Sequence, residues 1–321
     1  MSILTMLQQD TFTSDGTSQR IDLPGGADYF VVVNQTEWAA ANDRQFKYEW
    51  FPNLASAQAF VWNKTGGGNG VQSHLITSGG FTYRERFPTP EAAKTGTTIS
   101  LADPAVATST SHGYAVGDKV RIYNNTVMKQ IGGMTFEITA ADTNTFTLGY
   151  LDSSGFADAE TVFSVRRIAP EVEVLPGAEF ITKISKATSA VVTFSEGHNY
   201  KVDDLLYFRV PASFGMTEID GKTGKITAIT ASTATVDIDS SGFTTFAFPL
   251  STAVPFKFAF AGLAGKRGLY DDWFSSTRSL VDLDPFRDGL FVPYMYLPAG
   301  TASPAGFSGD VITWQAWRKE N

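Results

Sequence analysis

The triplet Gly221-Lys222-Thr223 is the run most suggestive of chemistry, because Gly-Lys-Thr ends the loop that cradles nucleotide phosphates. The spacing excludes that reading. Four residues must separate the two glycines of such a loop, but five separate Gly215 from Gly221, and Met216 holds the required place. Ile226-Thr-Ala-Ile229 then alternates like a strand, where phosphate binding needs a helix N-terminus. A hairpin turn accounts for the triplet better. The histidines His74, His112 and His198 show no His-x-x-x-His spacing and no acidic partner, so a turn or strand-edge role is expected rather than a metal. Asp271-Asp272 and Asp282-Leu-Asp284 could serve acid–base work or calcium, but neither matches a calcium loop. They read as solvated loop acids capping a short helix. The chain has no cysteine and no Gly-x-Ser-x-Gly elbow, which removes thiol nucleophiles, disulfides and Cys-ligated metals. The expectation is a protein that is not an enzyme, with no catalytic residue, no metal and no cofactor. Trp314 and Trp317 remain as candidate glycan or interface contacts.

The elements that would position these residues are short strands. Gln45-Phe-Lys-Tyr-Glu-Trp-Phe51 alternates at period two, as a half-buried strand does. Tyr29-Phe-Val-Val-Val33 is a continuous apolar run, the pattern of a strand covered on both faces. Val311 to Trp317 and Leu290 to Tyr296 are also strand-like, and Tyr270 to Leu280 could hold a short helix. Phe is abundant at 25 and charged residues are only 18%, a β-type globular composition. The net charge of −8 argues against a nucleic-acid partner. No apolar stretch reaches membrane-spanning length, and the first ten residues do not read as a signal peptide, so no membrane partner is expected.

The chain repeats itself. Asp152-Ser-Ser-Gly-Phe156 returns as Asp239-Ser-Ser-Gly-Phe243, and His112-Gly-Tyr-Ala-Val-Gly-Asp118 lines up with His198-Asn-Tyr-Lys-Val-Asp-Asp204. The offset stays at 85 to 87, longer than the common solenoid and propeller periods. Two small tandem domains are implied, at 93–168 and 169–250. All six tryptophans fall outside them, at 38, 50, 62, 273, 314 and 317. Large rings gather in cores, so both ends are expected to share one domain. The fold class read from sequence is therefore all-β: a β-sandwich-like domain from 1–92 plus 251–321, with two inserted small β-barrel modules.

The repeats resemble the small β-barrel module that follows the first catalytic-cysteine half-domain of ubiquitin-activating enzymes. The residues that carry the likeness are His112-Gly-Tyr-Ala-Val-Gly-Asp118-Lys-Val120, Met134-Thr135, Ile138-Thr139, Phe146-Thr-Leu148 and Asp152 to Phe156. The second copy departs at Asn199 and Asp203, where glycines are usual, and keeps Met216-Thr217. Such modules occur in tailed-bacteriophage virion proteins, and the stretches Asp10 to Gly16 and Leu23 to Tyr29 resemble phage structural proteins. The resemblance does not imply ubiquitin activation, for which this chain lacks the cysteine and the nucleotide loop. It implies a virion structural protein, assembled in a host cytoplasm and working through contacts with other virion proteins and with copies of itself. A tail or tail-associated subunit is the first expectation; capsid decoration, or attachment to a host-surface glycan, is the alternative.

Overall fold

A small barrel closes only when its first and last strands both find partners. The computed structural model describes residues 4–23, 27–40, 44–65, 70–84, 91–168, 175, 177–252, 257–275, 293–298 and 304–319. The protein is all-β, with one eight-stranded sheet, one nearly closed seven-stranded sheet and one closed six-stranded barrel. It divides into two compact units, one formed by residues 1–87 with 291–321 and the other by 88–290. The turns expected at 24–26, 66–69, 87–90 and 169–170 lie outside the described residues.

In the second unit, the first repeat orders its strands as Lys94–Gly96, Phe163–Ile168, Lys119–Tyr123, Thr135–Ala141, Thr145–Leu148, Val106–Thr108 and Thr98–Ile99. The first and last of these are parted in sequence by Thr97 alone, so the sheet curls until nearly shut. The second repeat runs Ala178–Ile184, Val191–Phe194, Thr233–Val236, Thr223–Ile229, Leu205–Arg209 and Phe260–Leu263, and returns to its start. The closing strand lies past the boundary expected at 250. Phe260–Leu263 pairs with Ala178–Phe180 on one side and Leu206–Arg209 on the other, so it belongs to the repeat and not to the end domain. The helix Arg267–Ser275 follows, burying Tyr270 and Trp273 against Phe260 at ring distances of 5.6 and 5.5 Å. Trp273 thus joins the repeat's core rather than that of the chain ends. Gly262 admits the helix, since a Cβ there would meet the Tyr270 ring at 2.5 Å.

The repeated signature is a clasp. Asp152 Oδ1 accepts the Ser154 backbone N–H at 3.1 Å and its hydroxyl at 2.6 Å; Asp239 does the same for Ser241 at 3.0 and 2.6 Å. Ser153 and Ser240 are fully buried and donate to Ser100 O (2.6 Å) and Ser185 O (2.7 Å), tying each loop to its barrel's first strand segment. The Met-Thr equivalence drawn from sequence shifts. Met128 and Met216 each precede a 3-10 turn, Lys129–Ile131 and Thr217–Ile219, so Met216 corresponds to Met128 and not to Met134. Glu160 anchors the first repeat. Its buried carboxylate accepts the N–H groups of Thr126 (3.1 Å), Val127 (3.1 Å), Met128 (2.7 Å) and Thr161 (3.0 Å).

In the end unit the eight strands run Leu4–Thr13, Val311–Lys319, Tyr29–Asn34, Gln45–Trp50, Gln58–Thr65, Gly70–Arg84, Tyr294–Leu297 and Gln19–Asp22. The two outermost strands are consecutive in the chain and joined by residues 14–18 alone, so the sheet must fold over on itself. Gly70–Arg84 makes the corner: its first part pairs with Gln58–Thr65 and its last three residues with Tyr294–Tyr296. The layers enclose Phe30, Val32, Tyr48, Trp50, Phe81 and Trp314. Arg84 and Tyr294 face each other across the ladder, so the chain leaves this unit and re-enters it at one place.

Two outcomes follow. Gly117 has φ +87° in the first repeat's His-Tyr turn, where the second repeat forces Asp203 to +78°. Gly117→Ala should cost about 1 kcal/mol in chemical denaturation, and Asp203→Gly should raise the midpoint. Burial pushes the Glu160 pKa up, but its hydrogen bonds from Thr126, Val162, Met128 and Thr161 outweigh burial and hold it below the usual 4.5. Its stabilisation is present above that value and lost as pH falls below it. Glu160→Gln should cost about 2–3 kcal/mol at pH 7 and flatten the acid limb of the stability curve.

Candidate functional site

The residues singled out for chemistry are engaged in structure. Gly221 sits at φ +75°, and Lys222 enters the strand Thr223–Ile229 directly; Gly221 N–H donates to Phe208 O and Phe208 N–H to Lys222 O. Gly133 and Met134 make the same bonds with Ile122, so the triplet is a turn common to both repeats. His112 and His198 are twin staples. Each Nδ1 accepts a backbone N–H, from Tyr114 at 3.0 Å and Tyr200 at 3.2 Å. Each Nε2 faces a carbonyl, Thr145 O at 3.1 Å and Thr233 O at 3.0 Å, which requires the N–H there. The two rings belong to separate barrels and share nothing. His74 is exposed on the strand Gly70–Arg84.

Asp271 is not a capping acid. It lies within the helix and accepts from Tyr207 Oη at 2.6 Å, Arg209 at 3.0 Å and Arg267 at 3.2 Å. Burial raises its pKa, and Tyr207, Arg267 and Arg209 together bring it below the ordinary range. Asp282 and Asp284 lie outside the described residues. Among the described residues no group of three His, Cys, Asp or Glu is placed to hold a metal ion.

The tryptophan candidates separate. Trp314 is 5% exposed and stacks on Phe30 at 5.7 Å, so it is core and is withdrawn as a sugar platform. Trp317 points to the other side of the sheet, half-buried, beside an open pocket of about 320 Å³ with Tyr29, Val31, Val33 and Lys47. Its Nε1 is shielded and meets no acceptor among the described residues.

That other side is the feature that sequence reasoning missed. Cross-strand register places Gln9, Gln315, Val31, Glu49, Phe60 and Leu75 in one row on it. The row above holds Met6, Trp317 and Tyr29, and Phe51 lies 5.3 Å from the Tyr29 ring. Leu4, Met6, Phe51, Phe60 and Leu75 are between 36 and 49% exposed. Gln9, Gln315, Thr11 and Thr313 share this surface with the apolar side chains, and within it Lys47 and Glu49 form an ionic cluster closed on itself. Glu49 accepts Tyr29 Oη at 2.6 Å, Trp62 Nε1 at 2.9 Å and Lys47 Nζ at 2.7 Å. Burial raises the Glu49 pKa, but the bonds from Lys47, Tyr29 and Trp62 hold it below its usual value. Burial, and then the same contact with Glu49, push the Tyr29 phenol up. The sequence signal was present in the double-sided run Tyr29–Val33.

A second surface is the seam between the repeats. Glu137 N–H donates to Ser195 O at 3.1 Å, Gly197 N–H returns to Glu137 Oε2 at 2.7 Å, and Glu196 takes Thr135 and Lys119. Phe156 meets Phe248 edge-on at 5.4 Å beside a pocket of about 280 Å³ that includes Asp152 and Lys183. These contacts lock the first repeat's clasp onto the second barrel.

Burial lowers the pKa of His198 from 6.5. Its neutral form is favoured in the fold, so stability is present above 6.5 and lost as pH falls below it. The loss in unfolding free energy between pH 7 and 5.5 should be smaller in His198→Gln than in the parent. No protein-family model matches the chain, and no curated protein matches it either.

Proposed function

We propose that the chain is a non-enzymatic structural protein of a tailed-bacteriophage virion, a tail or tail-associated assembly subunit acting through protein–protein contacts. The observation that carries the assembly part is the second apolar face of the end unit. Leu4, Met6, Phe51, Phe60 and Leu75, each 36 to 49% exposed, lie on one side of the sheet, and apolar side chains gathered on a surface and bordered by polar ones mark an association site. The repeats support the virion part through the resemblance of the first one's His-Gly-x-x-x-Gly-Asp motif, and of the Asp-Ser-Ser-Gly-Phe motif in both, to modules common in such proteins. The groups singled out as possible catalysts are spent on structure: His112 and His198 as staples, Asp271 in an ion-pair cluster. Decoration of the capsid is the neighbouring reading. Host-glycan attachment is weaker, since Trp314 is core and the Trp317 N–H is shielded.

Immunogold labelling of virions carrying this chain tests the proposal. Gold on tails is the expected result. Gold on heads would move the protein to decoration, and virions without label would overturn a structural role.

A further inference from the structure

We propose that the apolar face carrying Phe60, Leu75 and Trp317 is covered by the same face of a second copy of this chain, sheet against sheet. The inference rests on the assembly reading and names its partner and surface. The argument begins with Tyr29-Phe-Val-Val-Val33, whose successive side chains alternate between the two faces of the strand. Phe30 and Val32 are fully covered by the core. Of the residues aimed the other way, Val31 is 7% exposed, covered by its neighbours on the sheet, while Tyr29 and Val33 are left half-buried. An antiparallel strand with one wet face alternates apolar with polar; this one does not, so its composition suits a face that is dry on both sides.

The chemistry of the face says what can cover it. Lys47 and Glu49 are its central charges, and they neutralise each other at 2.7 Å while Tyr29 and Trp62 fill the remaining carboxylate positions. A charge cluster satisfied within its own surface can lose water without leaving an unpaired ion. The partner therefore needs no countercharge. A basic or acidic surface gains nothing here, and a nucleic acid, whose binding depends on phosphate neutralisation, finds no cationic patch. What fits is another surface without net charge, one that offers apolar side chains together with amide or hydroxyl partners for Gln9, Gln315, Thr11 and Thr313. This face offers both, since its amides and hydroxyls can each donate and accept, so a second copy of it meets that requirement in an isologous pair about a two-fold axis. The area suffices. Six strands about 4.8 Å apart, each some 20 Å long, give a footprint of roughly 500 Å² in plan, commensurate with the ~800 Å² of accessible surface per partner in a standard interface.

The test is the solution mass of the full chain by light scattering from about 1 to 100 µM, with Phe60→Glu/Leu75→Glu as the variant. Both side chains are substantially exposed in the single chain, so the variant should keep the parent's circular dichroism and unfolding midpoint. The expected result is a parent mass of twice 34.8 kDa or an even multiple, and a folded variant whose dissociation constant rises at least a hundredfold. Trp317→Phe should leave the dimer intact and show by fluorescence whether that ring is shielded on association. A parent that stays monomeric throughout overturns the second copy as occupant. An oligomer that the variant does not weaken overturns this face as the contact. Either result leaves the assembly reading standing if virions still label with gold; absence from virions fails that reading alone.

Discussion

Everything in the second unit depends on closing a sheet of very short strands. Strands of two to seven residues leave little pairing to spare at an open edge, because each unpaired backbone group in a small barrel costs a large share of its cohesion. The second repeat meets this by taking Phe260–Leu263 from beyond its recognisable sequence and wedging it between its first strand and Leu205–Arg209. The strand's own position is then held by the helix that follows, through Tyr270 over Gly262 and Asp271 on Tyr207 and Arg209. The first repeat solves the same problem differently. It splits its first strand around Thr97 and lets the two pieces serve opposite ends of the sheet.

The two repeats keep a shared skeleton while exchanging the residues that fill it. The histidine ring packs edge-on against Phe146 in one barrel and Phe194 in the other, at 5.0 and 5.2 Å. These phenylalanines come from different strands, Thr145–Leu148 and Val191–Phe194. The volume beneath the His-Tyr staple is thus kept between the copies, but its source is not. This is what a close-packed interior demands: a fixed space filled, by whichever neighbour can reach it.

How much of this was legible from residues alone follows the range of the interaction. The clasp was visible as a repeated pentapeptide because its bonds run over one or two residues, Asp152 to Ser154 and Asp239 to Ser241. The all-β class was visible because alternation is local. The end of the second repeat was not, because residues 244–259 intervene between its signature and its closing strand and break the offset. Glu160 went unnoticed because its partners, Thr126 to Met128, lie more than thirty positions away. The apolar face was half visible. The run Tyr29–Val33 announced two dry sides, but only register across six strands shows that Met6, Phe60, Leu75 and Trp317 share the second one. Trp314 and Trp317 could not be told apart by type; the strand's pleat sends one inward and the other outward.

The ladder pair Arg84 and Tyr294 carries a further consequence. In topological terms the end unit is a continuous fold in which one hairpin has a loop of roughly two hundred residues, and loop-closure entropy grows only with the logarithm of that length. An unstructured loop of that size would cost the hairpin about 3–4 kcal/mol more than a short turn. A loop that folds by itself and holds its own ends near each other would recover much of that. The pair of barrels is therefore cargo as far as the end unit's energetics are concerned. Any autonomous domain whose termini can meet the Arg84–Tyr294 rung could stand in its place, so the architecture can exchange what it displays without rebuilding what it stands on.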